Sequence, residues 1–400
     1  MGTARLRRGV GSDECFEALN SSRRDLVRDV HREYVAAGAD VIETNTFRAN
    51  RPHLERFGLA ERTFEFNYRG ARLARGAAGR NVFVAGSVGP LGGDRRDRTP
   101  TDAEREELFG EQIAALAAGG VDLLMLETFT DLDEIRAAVR AATAAAPDVP
   151  VLAQMAFYEG HGSLAGVSIG RAIEDLLAAG ASGVGVNCGR GFADALAAVR
   201  RMAALTDAPI SVFPNAGLPD VREGRLVYEQ PPAYMGAMAE QIAAAGANLI
   251  GGCCGTDGRA IAAIAQRVRG RPLAERVRTA PAEPAEAVVD AAATAAAAAQ
   301  TPSRGFLSRL GREPLIVVEL DPPRGLQTEK VIEGAGLLRD AGVHLVSMAE
   351  NPLASVRMGN VGMAYLVRRE VGIEPLVHFT GRDRNALGLH SDLLGAAALG

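Results

Sequence analysis

One rhythm limits what this chain can become. From its start to about residue 270, seven short apolar runs alternate with longer amphipathic stretches. The runs are ADVIETNTF (39–47), NVFVAGSVGP (81–90), VDLLMLETF (121–129), VPVLAQMAF (149–157), SGVGVNCG (182–189), PISVFPNAG (209–217) and ANLIGGCCG (247–255). Each is a continuous apolar run, not an alternating one, which is the pattern of parallel strands buried on both faces. The intervening stretches carry helical spacing. In the first, Leu19, Leu26, Val30 and Tyr34 share one face, Ser22 and Asp25 stand where an N-terminal cap belongs, and Gly38 follows as the C-terminal stop. Strand and helix in strict alternation predict an α/β fold, a TIM (β/α)8 barrel whose first strand is missing from the count. A doubly wound sheet is the competing architecture. Its glycine fingerprint has only a misspaced counterpart here, in Gly183, Gly185 and Gly189.

Residues 273–303 break the rhythm with Ala, Pro and Glu and almost no large side chains, the composition of a linker that cannot bury a core. Three more strand-like runs follow: LIVVELDPP (315–323), VHLVSMAENP (343–352) and EPLVHFTGRD (374–383). The predicted organisation is therefore a barrel over 1–272, a linker over 273–303 and a partial second β/α barrel over 304–400. A closed barrel needs about 200 residues or more, so the tail is expected to leave apolar faces such as LIVVEL and HLVSM uncovered. The absent first strand and the unfinished second barrel together predict a piece of a longer gene product.

Composition narrows the function. A net charge of −5, from 44 basic and 49 acidic residues, gives no footprint for a nucleic-acid or anionic-membrane partner. No run approaches the roughly 18 apolar residues of a membrane span, and MGTARLRRGVG lacks the apolar core of a secretory signal. Four cysteines make no disulfide scaffold, so a reducing, cytoplasmic setting is expected.

In a barrel, reacting groups sit where strands end. The predicted ends carry Glu43, Thr44 and Asn45; Ser87; Glu127 and Thr128; Gln154; Asn187 and Cys188; Asn215; and Cys253 with Cys254. Three of the four cysteines thus fall on one rim, which suggests Zn²⁺ with an open fourth position. Adjacent Cys253 and Cys254 would face opposite ways in a regular strand, but Gly251, Gly252 and Gly255 permit a bend that turns both inward. Three thiolates leave such a site net negative, a poor polariser of carbonyls but a good host for a fourth thiolate, since bound zinc deprotonates a thiol at neutral pH. Hydrolytic zinc sites favour His and carboxylate ligands, and no HExxH occurs here. Cys15 lies in a helical approach segment and reads as structural.

ADVIETNTF, AGSVGP, LMLETF, VNCG and GGCCGT, in that order and spacing, closely resemble the homocysteine S-methyltransferase family of zinc barrels over nearly all of residues 1–270. The resemblance implies that Cys188, Cys253 and Cys254 hold zinc and activate the homocysteine thiol. It implies that Glu127 holds the substrate amino group. Glu43 and Asn187 are expected beside the substrate on the same rim. Relatives usually open with Asp-Gly-Ala-Met-Gly-Thr, whereas this chain opens at Met1-Gly2-Thr3. VVELDPPRG, VSMAENP and LVHFTGRDRN resemble the opening strands of a methylenetetrahydrofolate reductase barrel, which in relatives is fused behind the methyltransferase. That second resemblance implies Glu319 as the acid that protonates folate, Asp383 as a folate-binding carboxylate, and His378 and Thr380 near FAD. The expected function is zinc-dependent methyl transfer to homocysteine, giving methionine, within a bifunctional enzyme. The small methyl donor is unnamed by the sequence. With no cobalamin-binding domain visible, S-methylmethionine or S-adenosylmethionine is favoured, with a folate route open. A degenerate, non-catalytic zinc- or thiol-binding barrel and a zinc hydrolase are the alternatives.

Overall fold

The structure is a computed structural model that describes residues 8–11, 14–92, 100–158, 162–163, 167–222, 225–276, 309, 312–351, 356–381 and 386–399. The chain divides into two compact units, Met1–Val288 and Val289–Gly400.

The first unit is built on a seven-stranded parallel sheet whose strands lie in sequence order. They are β1 (Val41–Glu43), β2 (Phe83–Val88), β3 (Leu123–Phe129), β4 (Val151–Met155), β5 (Gly183–Cys188), β6 (Ile210–Pro214) and β7 (Leu249–Ile250). Helices α1 (Arg24–Ala36), α2 (Thr63–Ala78), α3 (Asp102–Gly119), α4 (Leu132–Ala145), α5 (Ile169–Ala178), α6 (Phe192–Leu205), α7 (Pro232–Ala244) and α8 (Gly258–Val268) alternate with them. Two antiparallel ribbons, Phe157–Tyr158 with Gly162–Ser163 and Asp220–Arg222 with Arg225–Val227, follow β4 and β6.

Two layers of side chains explain the continuous apolar runs. Leu124, Leu126, Phe129, Val184, Val186 and Val212 point outward and meet Phe109, Ile113, Ile135 and Phe192 of the helices in one large core. The opposite face forms a second cluster of Ala85, Leu123, Met125 and Leu152, against which Val41, Phe213 and Leu249 pack. Val41 and Leu249 belong to the two outermost strands, so the sheet curls until its edges share one interior. Among the described residues, β1 and β7 have no ladder pairing with each other. The seam is crossed by side chains instead: Arg269 donates to Gly38 O and pairs with Asp40, and the Tyr34 hydroxyl donates to Thr256 O.

Glycines within strands permit this curl. A Cβ on Gly185 would lie 2.3 Å from the Ser211 carbonyl oxygen of the next strand. Gly183 and Gly185 are therefore packing glycines inside β5, not a phosphate loop, and the doubly wound alternative fails on that ground. The predicted cap of α1 needs correction. Ser22 ends a short helix, Leu19–Ser22, and donates to Ala18 O, while the true N-cap is Arg23 with no side-chain cap bond. Gly38, at φ +93°, does close α1 as predicted.

The second unit has a three-stranded parallel sheet in the order β8 (Val317–Glu319), β9 (Leu345–Met348), β10 (Glu374–Val377). Helices α9 (Glu329–Asp340), α10 (Asn360–Val371) and α11 (Ala386–Leu399) accompany it. Val346, Met348, Met363 and Val367 are fully buried, so the HLVSM run is covered, contrary to expectation, because β9 is the central strand. The outer strand is not: Ile316 and Val317 are 53% and 46% exposed. Among the described residues, no helix is long and apolar enough to cross a membrane.

Candidate metal centre

The site gathers at the C-terminal ends of the strands in the first unit. Cys188 is the last residue of β5 and holds φ +59°. Beyond β7, the Cys253 amide donates to Pro214 O, and the Thr256 amide and hydroxyl both donate back to Cys253 O, forming a turn. Gly255, at φ +81°, completes it, and a side chain there would collide with the Tyr228 ring. Asp257 then caps α8, accepting from the Arg259 and Ala260 amides. This turn aims both neighbouring cysteines the same way. The three Sγ atoms lie within 4.8 Å of one another, with Cys188 to Cys253 at 3.2 Å and Cys253 to Cys254 at 4.0 Å.

Asn215 staples the two cysteine loops, donating to Gly189 O at 2.9 Å and accepting from the Cys254 amide at 3.0 Å. Without a cation the three sulfurs cannot all ionise. Hydrogen bonds from Cys188 and Cys253 hold Cys254 below the usual thiol range. The bond to Cys188 pushes Cys253 well up. For Cys188, the Cys253 bond pulls down, but the Cys254 contact and burial outweigh it and push the thiol up to about 12. One negative charge is thus shared among three sulfurs, and a second or third needs a positive ion between them. The cluster could bind a metal, and the donor set suits a soft or borderline divalent cation. Burial, and next the charge at Cys254, push the Tyr228 phenol up, so it stays protonated and donates to that sulfur.

A carboxylate pair completes the rim. Glu127 is buried and accepts from the Ser87 hydroxyl, whose own amide is held by Thr44 Oγ1. Burial and the charge of Glu43 push Glu127 well above the usual carboxylate range. Burial likewise pushes Glu43 up, and its Oε1 is buried with no hydrogen-bond partner. Two carboxyl groups whose charged forms burial disfavours, one with an unmatched oxygen, are the surroundings in which a ligand ammonium would restore the anions. Asn187 is fully buried, and its amide engages Thr128. Cys15 is buried against Leu54 and Phe66, away from the other thiols.

The second unit scatters its predicted residues. Glu319 ends β8 and is exposed. His378 is exposed too, with Nε2 2.8 Å from the Ser347 hydroxyl. The Thr380 amide and hydroxyl both donate to Glu350. Asp383 lies outside the described residues. Sequence reasoning passed over Tyr228 altogether. It named Ser87, Thr128 and Asn215 only as strand ends, since nothing in one dimension says which strand end meets which.

Comparison with known proteins places this geometry. The chain is 33% identical over 282 residues to a methionine synthase of Mycobacterium tuberculosis (strain ATCC 25618 / H37Rv), covering 66% of this chain and 23% of that protein. A methionine synthase of Mycobacterium leprae (strain TN) is 34% identical over 262 residues, covering 62% and 21%. The chain thus spans about a quarter of the length of these curated relatives. The metallated form of the homocysteine methyltransferase MmuM from Escherichia coli superposes with a TM-score of 0.57 at 26% identity, covering 67% of this chain and 93% of that one. Its apo form gives 0.53 at 25%. The sequence profile described as Homocysteine S-methyltransferase matches residues 1–268. On that match, which takes in every strand of the curled sheet and all three clustered cysteines, the chain belongs to the homocysteine S-methyltransferase family.

Proposed function

We propose that the first unit, a TIM (β/α)8-type barrel over 1–272 with its first strand missing, transfers a methyl group to the thiol of homocysteine, giving methionine, with Zn²⁺ held by Cys188, Cys253 and Cys254. The convergence of those three sulfurs on one rim carries the reading. Bound zinc would lower the pKa of the incoming thiol, so that it attacks as a thiolate. The chain's own residues do the rest. Glu127, oriented by Ser87, and Glu43, with its unmatched oxygen, bind the substrate ammonium. That places the substrate sulfur toward the cysteines and its amino acid end toward β1 and β3. Tyr228 and Asn215 brace the Cys254 loop. The thiolate then attacks the methyl carbon in line, a carbon–sulfur bond forms, and the donor leaves with its bonding pair.

The donor is a small methylated molecule, S-methylmethionine or S-adenosylmethionine ahead of a methylated folate. The decisive experiment assays methyl transfer from each to homocysteine side by side. Methionine from any donor supports the enzyme, whereas none from a folded, zinc-loaded chain would leave a zinc- or thiol-binding scaffold. Four free cysteines fit a reducing cytoplasm.

For residues 304–400, joined through a linker over 273–303, we propose kinship with the opening of a methylenetetrahydrofolate reductase barrel. It rests on the three motifs and the parallel order of β8–β10. Among the described residues, exposed Glu319 and His378 and the Glu350-bound Thr380 do not fit an FAD site as they stand. Flavin absorbance in the purified chain is the test.

A further inference from the structure

Two non-glycine residues at the site hold left-handed backbone, Thr128 at φ +67° and Cys188 at φ +59°. For a β-branched residue this is a true outlier, and such outliers persist only where surroundings enforce them. Thr128 sits where the pairing of β3 with β4 slips, between Leu126 and Phe129. A bulge of this kind re-aims side chains and leaves a backbone amide without its ladder partner.

Asn187 supplies that partner from two strands away. Its Oδ1 accepts from the Thr128 amide at 2.8 Å, and its Nδ2 donates to Thr128 Oγ1 at 2.7 Å. The bond from a backbone N–H fixes the amide orientation, since only the carbonyl end can accept it. Thr128 Oγ1, already accepting, has its own proton free, and Cys188 Sγ lies 3.7 Å away. Asn187 Nδ2 lies 3.8 Å from the same sulfur. Asn187 is 0% exposed and directly precedes Cys188, while Thr128 directly follows Glu127.

We propose that Asn187 and Thr128 form a clamp across the end of β4 that positions the metal ligand Cys188 and the substrate carboxylate Glu127 together. Asn187 is then a positioning residue, not a contact for substrate. The Thr128 hydroxyl donates to the Cys188 thiolate, fixing the direction of that sulfur, while the bulge held by Asn187 fixes Glu127 against Ser87. Ligand partners of this outer kind typically carry ten- to a hundred-fold in metal affinity.

This rests on the zinc reading above, and the test separates the two. Zinc affinity of the full chain is measured by competition with a chromophoric chelator, and Co²⁺ replaces zinc to read the sulfur-to-cobalt charge-transfer band. Thr128→Val keeps the amide bond and the steric shape but removes the hydroxyl. It should weaken zinc binding about ten-fold and shift the cobalt band, and Thr128→Ser should restore both. Asn187→Asp keeps the acceptor and loses the donor. It should weaken zinc binding by at least as much and also weaken the homocysteine-induced change in the cobalt spectrum. A merely structural role would lower the melting temperature and leave the cobalt band in place. If Asn187→Asp does not fold, the Thr128 pair decides. Wild-type zinc affinity and an unshifted band in Thr128→Val would overturn the clamp alone. A wild-type chain that takes up no zinc would overturn the zinc reading and the clamp together.

Discussion

A cysteine is the residue most easily misread in a sequence, because a buried thiol packs as a small hydrophobe as readily as it binds a metal. Here both arrangements, a packed thiol and a cluster able to hold a metal, are present. Cys15 packs against Leu54 and Phe66, while Cys188, Cys253 and Cys254 converge. Replacing any one of the three by Ser should abolish stoichiometric zinc by metal analysis, and Cys15→Ser should retain it. Zinc affinity should also weaken as pH falls, because protons compete for the thiolates. Glu127 makes a sharper case. Burial and Glu43 raise its folded pKa, so the protonated form is favoured in the fold. A group shifted that way contributes stability below its unfolded pKa and loses it as pH rises through the folded value. Glu127→Gln should therefore raise the melting temperature of the ligand-free chain near neutral pH, an advantage that vanishes toward the ordinary carboxylate range near pH 4. The same change should weaken homocysteine by about 1.5–3 kcal/mol, the range for hydrogen bonds to charged groups, with zinc content unchanged. A melting temperature equal to wild type at neutral pH would mean the pair is already relieved by solvent.

At the scale of the element, the strands were legible and the side-chain contacts between their ends were not. Continuous Val, Ile and Leu runs report burial on both faces, and all seven became strands of the sheet, trimmed at their ends. The cysteine turn was legible for a chemical reason, since two adjacent thiols among glycines have few other uses. The Asn187–Thr128 contact was not, because it depends on a register slip in β3 that side-chain periodicity does not encode. The cap of α1 was misread because Ser22 is the last residue of the short helix Leu19–Ser22, its hydroxyl turned back to donate to Ala18 O, and Arg23 stands between it and α1. By contrast, the capping box at Thr101 and Glu104 forms as its residue types allow, and Thr101→Ala should cost about 1 kcal/mol in chemical denaturation. Gly185→Ala should cost more, about 1–3 kcal/mol from overpacking. Its Cβ would meet the Ser211 backbone, which cannot rotate away as a side chain can. If that variant is as stable as wild type, the spacing of β5 and β6 is looser than the close approach implies.

The whole molecule raises a question neither residue nor element can answer, which is whether the metal chemistry needs the second unit. The proposed zinc ligands, the carboxylate pair and the proposed clamp all belong to residues before 288. So do the two layers of core that curl the sheet, whose buried members run from Ile42 to Ile264. The second unit has its own buried cluster, from Val331 to Ile373. Each core is thus closed within its own stretch of sequence, which is the condition for a domain to fold alone. The two are unequal, however. The first buries its strands on both faces, while in the second Ile316, just before β8, and Val317, its first residue, are about half exposed. A fragment of residues 1–288 should therefore fold cooperatively, bind one zinc as tightly as the 400-residue chain, and retain whatever methyl transfer to homocysteine the longer chain performs. A fragment of residues 289–400 should be far less stable, binding hydrophobic dyes at its uncovered strand. Calorimetry and metal analysis of the two fragments check both halves. Loss of zinc or of a cooperative transition in the first fragment would mean that the methyltransferase unit depends on chain beyond its own core.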